Sequence, residues 1–288
     1  MVLQPVKFFA VSRAVRHAIR VGAGCCCLLG SASAVWAAPL SDANAARLIA
    51  AYPDQLQSID GSTLIWRDGT RMPLDDGQGP KTPDALLDNA DIEDMFSVPY
   101  PSEDITTPPA KNMDPGRARN AAFFDKMYGS CRASTVEPKL TRIAWLPHKS
   151  REHVSVTTVN GVDKKLAAVS AELEQLPASF DKYLVPSAGT YACRVIAGTE
   201  RLSTHGYGIA IDISTKHAHY WRWAQEGPDG AVVYRNDIPM EIVRIFEKHG
   251  FIWGGKWHHY DTMHFEYRPE LLAPEESAGG AAASAPSP

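Results

Sequence analysis

The sequence predicts an α+β fold, a small antiparallel sheet flanked by helices, on three observations. Leu166, Val169, Leu173 and Leu176 recur at helical spacing. Ile209, Ile211 and Ile213 alternate with Gly208, Ala210 and Asp212, the period of a strand with two unlike faces. Asp68-Gly69 and Asn160-Gly161 punctuate apolar runs where a short strand has to turn.

Taken in order, residues 1–37 read as an export signal. A basic stretch ends at Arg20, a short apolar run follows through Cys25, Cys26, Cys27, Leu28 and Leu29, and small residues lead to a cleavage site before Ala38. The run is short for a membrane span; a retained anchor is the other reading. Residues 38–50 suit a helix, and Leu64-Ile65-Trp66 a strand that turns at Asp68-Gly69. Pro99, Pro101, Pro108, Pro109 and Pro115 argue against long elements over 75–118. Residues 38–118 are thus expected to be a loop-rich N-terminal extension packed on the main domain.

That main domain is expected over 119–272. A helix is predicted at 119–128, then strands at 143–146 and 154–158, then an amphipathic helix at 162–176 stopped by Pro177. Asp237 and Pro239 read as N-cap and first turn of another helix, with Ile242, Ile245 and Phe246 buried and Gly250 ending it. Strands at 251–253 and 262–268 come next, separated by Gly254-Gly255. Residues 273–288, rich in Ala, Gly, Ser and Pro, are expected to be a disordered tail.

The 288 residues carry a formal charge of −4, and loss of the four positive charges in 1–37 takes it to −8. A mildly acidic mature chain argues against nucleic acid as its main partner, because phosphate binding needs a basic footprint. No protein partner is evident. Beyond the signal only Cys131 and Cys193 remain. In an oxidising compartment this pair is expected to form one disulfide; two buried thiols are the alternative.

Asp212 falls on a strand face whose neighbours, Gly208 and Ala210, are the smallest available. A buried carboxylate is costly unless it is paired or bound to a cation, and small neighbours leave room for one. His205 lies seven positions earlier in a Gly-containing loop. A second segment offers Asp261, His264 and Glu266, the last two on one strand face. Two His and a carboxylate are a usual set for catalytic zinc, leaving one position open. Ten histidines allow chance pairings, so spacing alone does not choose the set. His258 and His259 are read as pocket rim or surface, since neighbours on a strand point opposite ways. His217 and His219 are read as non-ligands.

The pattern Ser203-x-His205-x-x-Gly208-x-Ala210-x-Asp212, followed by Asp261-x-x-His264-Phe265-Glu266, resembles the M15 metallopeptidases. These include D-alanyl-D-alanine carboxypeptidases, D,D-dipeptidases and L-alanyl-D-glutamate endopeptidases of peptidoglycan. The likeness runs over about 120–272. It implies a zinc-peptidase fold shared with Hedgehog-type domains and one Zn2+ per chain held by His205, Asp212 and His264. It further implies Asp261 as general base and Arg194 as the group facing the scissile carbonyl. Ser203 would hold a ligand or the substrate, and Glu266 is either a rival base or a group orienting a ligand. Trp257 reads as pocket wall or plain core. The function so implied is hydrolysis of stem peptides in the periplasm or at the cell wall. A zinc-bearing wall-binding module without turnover is the alternative, because a shared fold does not prove catalysis.

Overall fold

Residues 40–225 and 232–272 are described by the computed structural model. The signal assigned to 1–37 and the tail assigned to 273–288 lie outside the described residues. The mixture of helices and antiparallel pairs is α+β, but the strands form three small sheets, where one was expected.

Helix α1 (Asp42–Ala51) is capped by Ser41, whose hydroxyl accepts from the Asn44 amide. It leads into an antiparallel meander of β1 (Leu56–Asp60), β2 (Thr63–Trp66) and β3 (Arg71–Pro73), with Asp68-Gly69 turning β2 into β3. One short helix, α2 (Pro83–Asp88), interrupts the proline-rich stretch. Helix α3 (Ala121–Tyr128) buries Phe123, Phe124, Met127 and Tyr128. Strands β4 (Leu140–Trp145) and β5 (Glu152–Thr157) pair as a hairpin. Helix α4 (Val162–Leu173) packs on it through Leu166, Val169 and Leu173, three of the four predicted stripe residues; the helix ends before Leu176, three residues short of the expected bound. A one-turn helix α5 (Asp181–Leu184) comes next.

The third sheet positions the site. Its order is β6 (Ala210–Asp212), β8 (His264–Tyr267) and β7 (Phe251–Trp253), with β8 in the middle. The antiparallel register sets Asp212 opposite His264 and Ala210 opposite Glu266. Opposed residues share a face, so the two chemically expensive side chains meet across one rung. The other face carries Ile211 and Phe265, both fully buried, over helix α6 (Met240–Lys248). Phe246 of α6 stacks on Phe265 at 3.8 Å between ring centroids.

Asp237 does not cap α6. Pro239 occupies the cap position, and no side chain satisfies the first amides. The Asp237 carboxylate instead meets His219 Nε2 at 2.8 Å, so a tertiary pair outweighs the local cap signature. His249 stands at the helix end and contacts Glu172 at 3.0 Å.

An aromatic cluster joins the first elements to the rest. Phe123 lies 5.4 Å from Trp66 and 6.0 Å from Tyr52, and Phe124 lies 5.5 Å from Tyr207. The Tyr52 hydroxyl donates to Glu270 at 2.6 Å, tying α1 to the turn after β8. No helix among the described residues is long and apolar enough to cross a membrane.

Candidate metal centre

His205 sits in a single 3-10 turn, Thr204–Tyr207, closed by Gly208 at φ +70°. That left-handed glycine reverses the chain into β6, which brings His205 over Asp212 seven residues later. A side chain at 208 would also strike Leu140 and the Thr157 amide.

Three donor atoms converge. His205 Nε2 lies 3.1 Å from Asp212 Oδ1, His264 Nδ1 lies 2.8 Å from the same oxygen, and the two ring nitrogens are 3.2 Å apart. Each imidazole is held from behind. His205 Nδ1 donates to the Thr190 carbonyl at 2.5 Å. His264 Nε2 donates to Glu266 Oε2 at 3.1 Å. Each ring therefore turns its other nitrogen toward Asp212, the atom that could bind a metal ion in place of a proton, as the outer partners of metal-bound histidines arrange.

The charges agree. Burial would raise the Asp212 pKa, but His205 and His264 overcome it and hold the carboxyl well below its usual range. Burial works against charge on His264, yet hydrogen bonds to Asp212 and Glu266 push it up to about 10. Asp212 and His264 thus hold each other in their charged forms. Three potential ligand atoms at mutual distances of 2.8–3.2 Å are close enough to be held by one small cation. The residues present thus fit a metal ion.

Glu266 is fully buried. It is contacted by Arg119 at 3.3 Å and Arg268 at 3.2 Å and accepts from the Thr204 hydroxyl at 2.9 Å. Burial would raise its pKa; Arg119 and His264 keep it ionised. Its contacts are those of an orienting group. Asp261 differs: burial first, then the nearby Asp212 charge, push its carboxyl up to about 6. Its Oδ1 is buried and accepts no hydrogen bond from the described residues.

These groups line a cavity of about 280 Å³. Ser203, Arg194 and Trp257 line it too. Arg194 is exposed, and its carbonyl accepts from the Ser203 amide at 3.0 Å. Trp257 is buried, donates to the Pro115 carbonyl at 2.7 Å, and sits 5.6 Å from the His264 ring. Cys131 and Cys193 form the expected disulfide, Cα–Cα 5.7 Å, immediately before Arg194.

Sequence reasoning did not find Arg117, Arg119 or Trp221 on the cavity wall, or Thr190 behind His205. The only signal for the first two was a pair of arginines two apart after Gly116. His259 does stand on the cavity wall, as the rim reading of His258 and His259 had it, but the strand setting behind that reading does not hold. They lie in a turn, not a strand, with ring centroids 4.6 Å apart, and with Asp114 they make a second cluster of donor atoms. That cluster suits a cation less well. Asp114 already accepts from the His259 amide at 2.9 Å and ring Nδ1 at 2.7 Å, and Arg117 stands 3.6 Å from it. Burial, with His259, Lys111 and Arg117 near, holds His258 below its usual pKa. A third group, Asp75, Asp76 and Asp91, has its cation in Lys81, 2.8 Å from Asp76 and 3.0 Å from Asp91. His217 packs beside Tyr183, and neither it nor His219 joins a donor cluster among the described residues.

Two imidazoles and a carboxylate, open on one side to a cavity, make a donor set that could hold one metal ion. Residues 197–267 match the family model described as D-alanyl-D-alanine carboxypeptidase, which supports the M15 metallopeptidase family for this chain, and with it a peptidase. The match takes in all three donors and Asp261. No curated protein and no solved structure matches the chain.

Proposed function

We propose that the chain is an exported zinc peptidase that hydrolyses peptidoglycan stem peptides, cutting either L-alanyl-D-glutamate or terminal D-alanyl-D-alanine. The observation that carries this reading is the convergence of His205 Nε2, Asp212 Oδ1 and His264 Nδ1 beside a cavity that Asp261 also lines. Zinc is the natural occupant of a site made of two histidines and an aspartate and would supply Lewis acidity toward a carbonyl and toward water.

The chain's own groups supply the rest. Asp261, with its carboxyl raised to about 6, takes a proton from the attacking water and returns it to the departing amine. Arg194 faces the same cavity and neutralises charge growing on the carbonyl oxygen. Trp257 and Trp221 wall the cavity and limit water. Glu266 and Thr190 keep both imidazoles in the tautomer that offers a lone pair inward. Export is supported by the basic-apolar-small order of 1–37 and by a disulfide that suits an oxidising compartment.

Mass spectrometry of muropeptides incubated with metal-loaded protein tests the reading, beside Asp261→Ala with its metal content verified. Loss of terminal D-Ala or release of the peptide after L-Ala is expected from the wild type, with neither from the variant. Full activity in Asp261→Ala would remove Asp261 as base. A stable muropeptide complex with no product would replace the enzyme by a binding module.

A further inference from the structure

The cavity holds more positive charge than its own acids use. Arg119 is committed to Glu266 at 3.3 Å. Arg117 is only loosely committed, in an ion pair with Asp114 at 3.6 Å. Its guanidinium makes no hydrogen bond to any described residue, and one terminal nitrogen is buried without a partner. The nearest carboxylate oxygen, on Asp114, is 3.6 Å away, beyond hydrogen-bond reach. That carboxylate is engaged by the amide and ring of His259. Arg117 is nevertheless held in place, its side chain only 11% exposed and its guanidinium 5.6 Å from the centre of the Trp257 ring. Burial together with the charges of Arg119 and Arg117 brings Arg201, behind this wall, down to about 10. A buried guanidinium with open donors is costly unless something completes it. Arg117 lines the cavity that contains Asp212, Asp261 and His264.

We infer that Arg117 is the receptor for a carboxylate of the substrate, the free α-carboxylate of the residue on the leaving side of the scissile bond. This rests on the peptidase reading and deepens it. A guanidinium presents parallel N–H donors that match a carboxylate. Both bonds under consideration place such a group there. In terminal D-alanyl-D-alanine the departing residue carries the chain's end. In L-alanyl-D-glutamate the stem continues through the γ-carboxyl, so the α-carboxylate of the departing glutamate is free. The receptor comes from residue 117, outside the segment 197–267 that matches the family model. Trp257 and the Asp114–His259 pair act as its positioning residues.

The test compares kcat and KM for D-alanyl-D-alanine-terminated and L-alanyl-D-glutamyl stem peptides, each as the free α-acid and as the α-amide. The metal-loaded full chain is used. A charge-assisted pair predicts that whichever peptide is cut is preferred as the acid by about tenfold or more in kcat/KM. In Arg117→Met that preference should fall to about twofold or less, through KM rather than kcat, and Arg117→Lys should restore part of it. Metal content and near-UV circular dichroism of both variants establish folding, and the Lys variant reads the effect if the Met variant fails to fold. Equal acid-to-amide ratios in wild type and Arg117→Met, or no acid preference in the wild type, would overturn the assignment. Calorimetric titration of the same four peptides into metal-loaded Asp261→Asn reads the preference as a Kd ratio without turnover. Acid-selective binding that depends on Arg117, with no hydrolysis by the wild type, would keep the subsite and remove the peptidase. Hydrolysis without acid selectivity would do the reverse.

Discussion

Glu266 lies two residues from His264 on the same face of β8, and its charge is taken up by Arg119, Arg268 and the imidazole it orients. Glu266→Gln keeps the shape and removes the charge. The variant should bind metal about 10- to 100-fold more weakly, measured by competition with a chromogenic chelator. An unchanged affinity would make Glu266 a bystander. From the sequence alone Glu266 could be a base or an orienting group, because strand alternation places it on the site face without saying what surrounds it. The three donors were legible for a local reason. Asp212 and His264 sit where two short strands offer their polar faces, and His205 needs only one turn ending in Gly208 to reach them. Arg117, and the Asp114 that holds His259 from 145 positions away, were not legible, since no periodicity links residues so far apart. The resemblance singled out these three residues, and register explains why Asp212 and His264 meet.

The turn between β7 and β8 is the element on which Asp261 depends. The Asp261 amide donates to the Gly254 carbonyl at 3.0 Å, and a Cβ built on Gly254 would come within 2.6 Å of the Asp261 carbonyl oxygen. That neighbour is backbone and cannot rotate away. Gly254→Ala should therefore displace Asp261 and lower kcat/KM by roughly 100-fold while metal binding persists. Wild-type rates in this variant would show that Asp261 tolerates the shift. The Gly254-Gly255 pair was readable as a turn, but its tightness was not, because that comes from Trp253 and Trp257 closing over it. Helix α6 teaches the converse. Asp237 ahead of Pro239 has the local form of a cap, yet His219 draws the carboxylate away. The buried face Ile242, Ile245 and Phe246 was read correctly, since burial follows the helical period whatever caps the first turn.

Across the whole molecule the segment before residue 119 shares its core with the later elements. Leu48, Tyr52, Leu64 and Trp66 are all at most 2% exposed and belong to the same cluster as Phe123, Phe124 and Tyr207. Fully burying one such side chain contributes roughly 1.5–3 kcal/mol. Four of them approach the whole stability of an ordinary domain, about 5–15 kcal/mol. A chain lacking 40–118 should give no cooperative calorimetric transition; a sharp one would show that 119–272 folds alone. The boundary that the sequence reading places between 118 and 119 is what that experiment tests. The support behind the histidines limits what can be borrowed from this protein. The segment 197–267 contains every donor atom, but the carbonyl behind His205 belongs to Thr190 and the charge that keeps Glu266 ionised comes largely from Arg119. Copied into another scaffold, that stretch would carry the ligands without the struts that aim them, so the site is not a portable cassette and has to be moved, if at all, with its foundations.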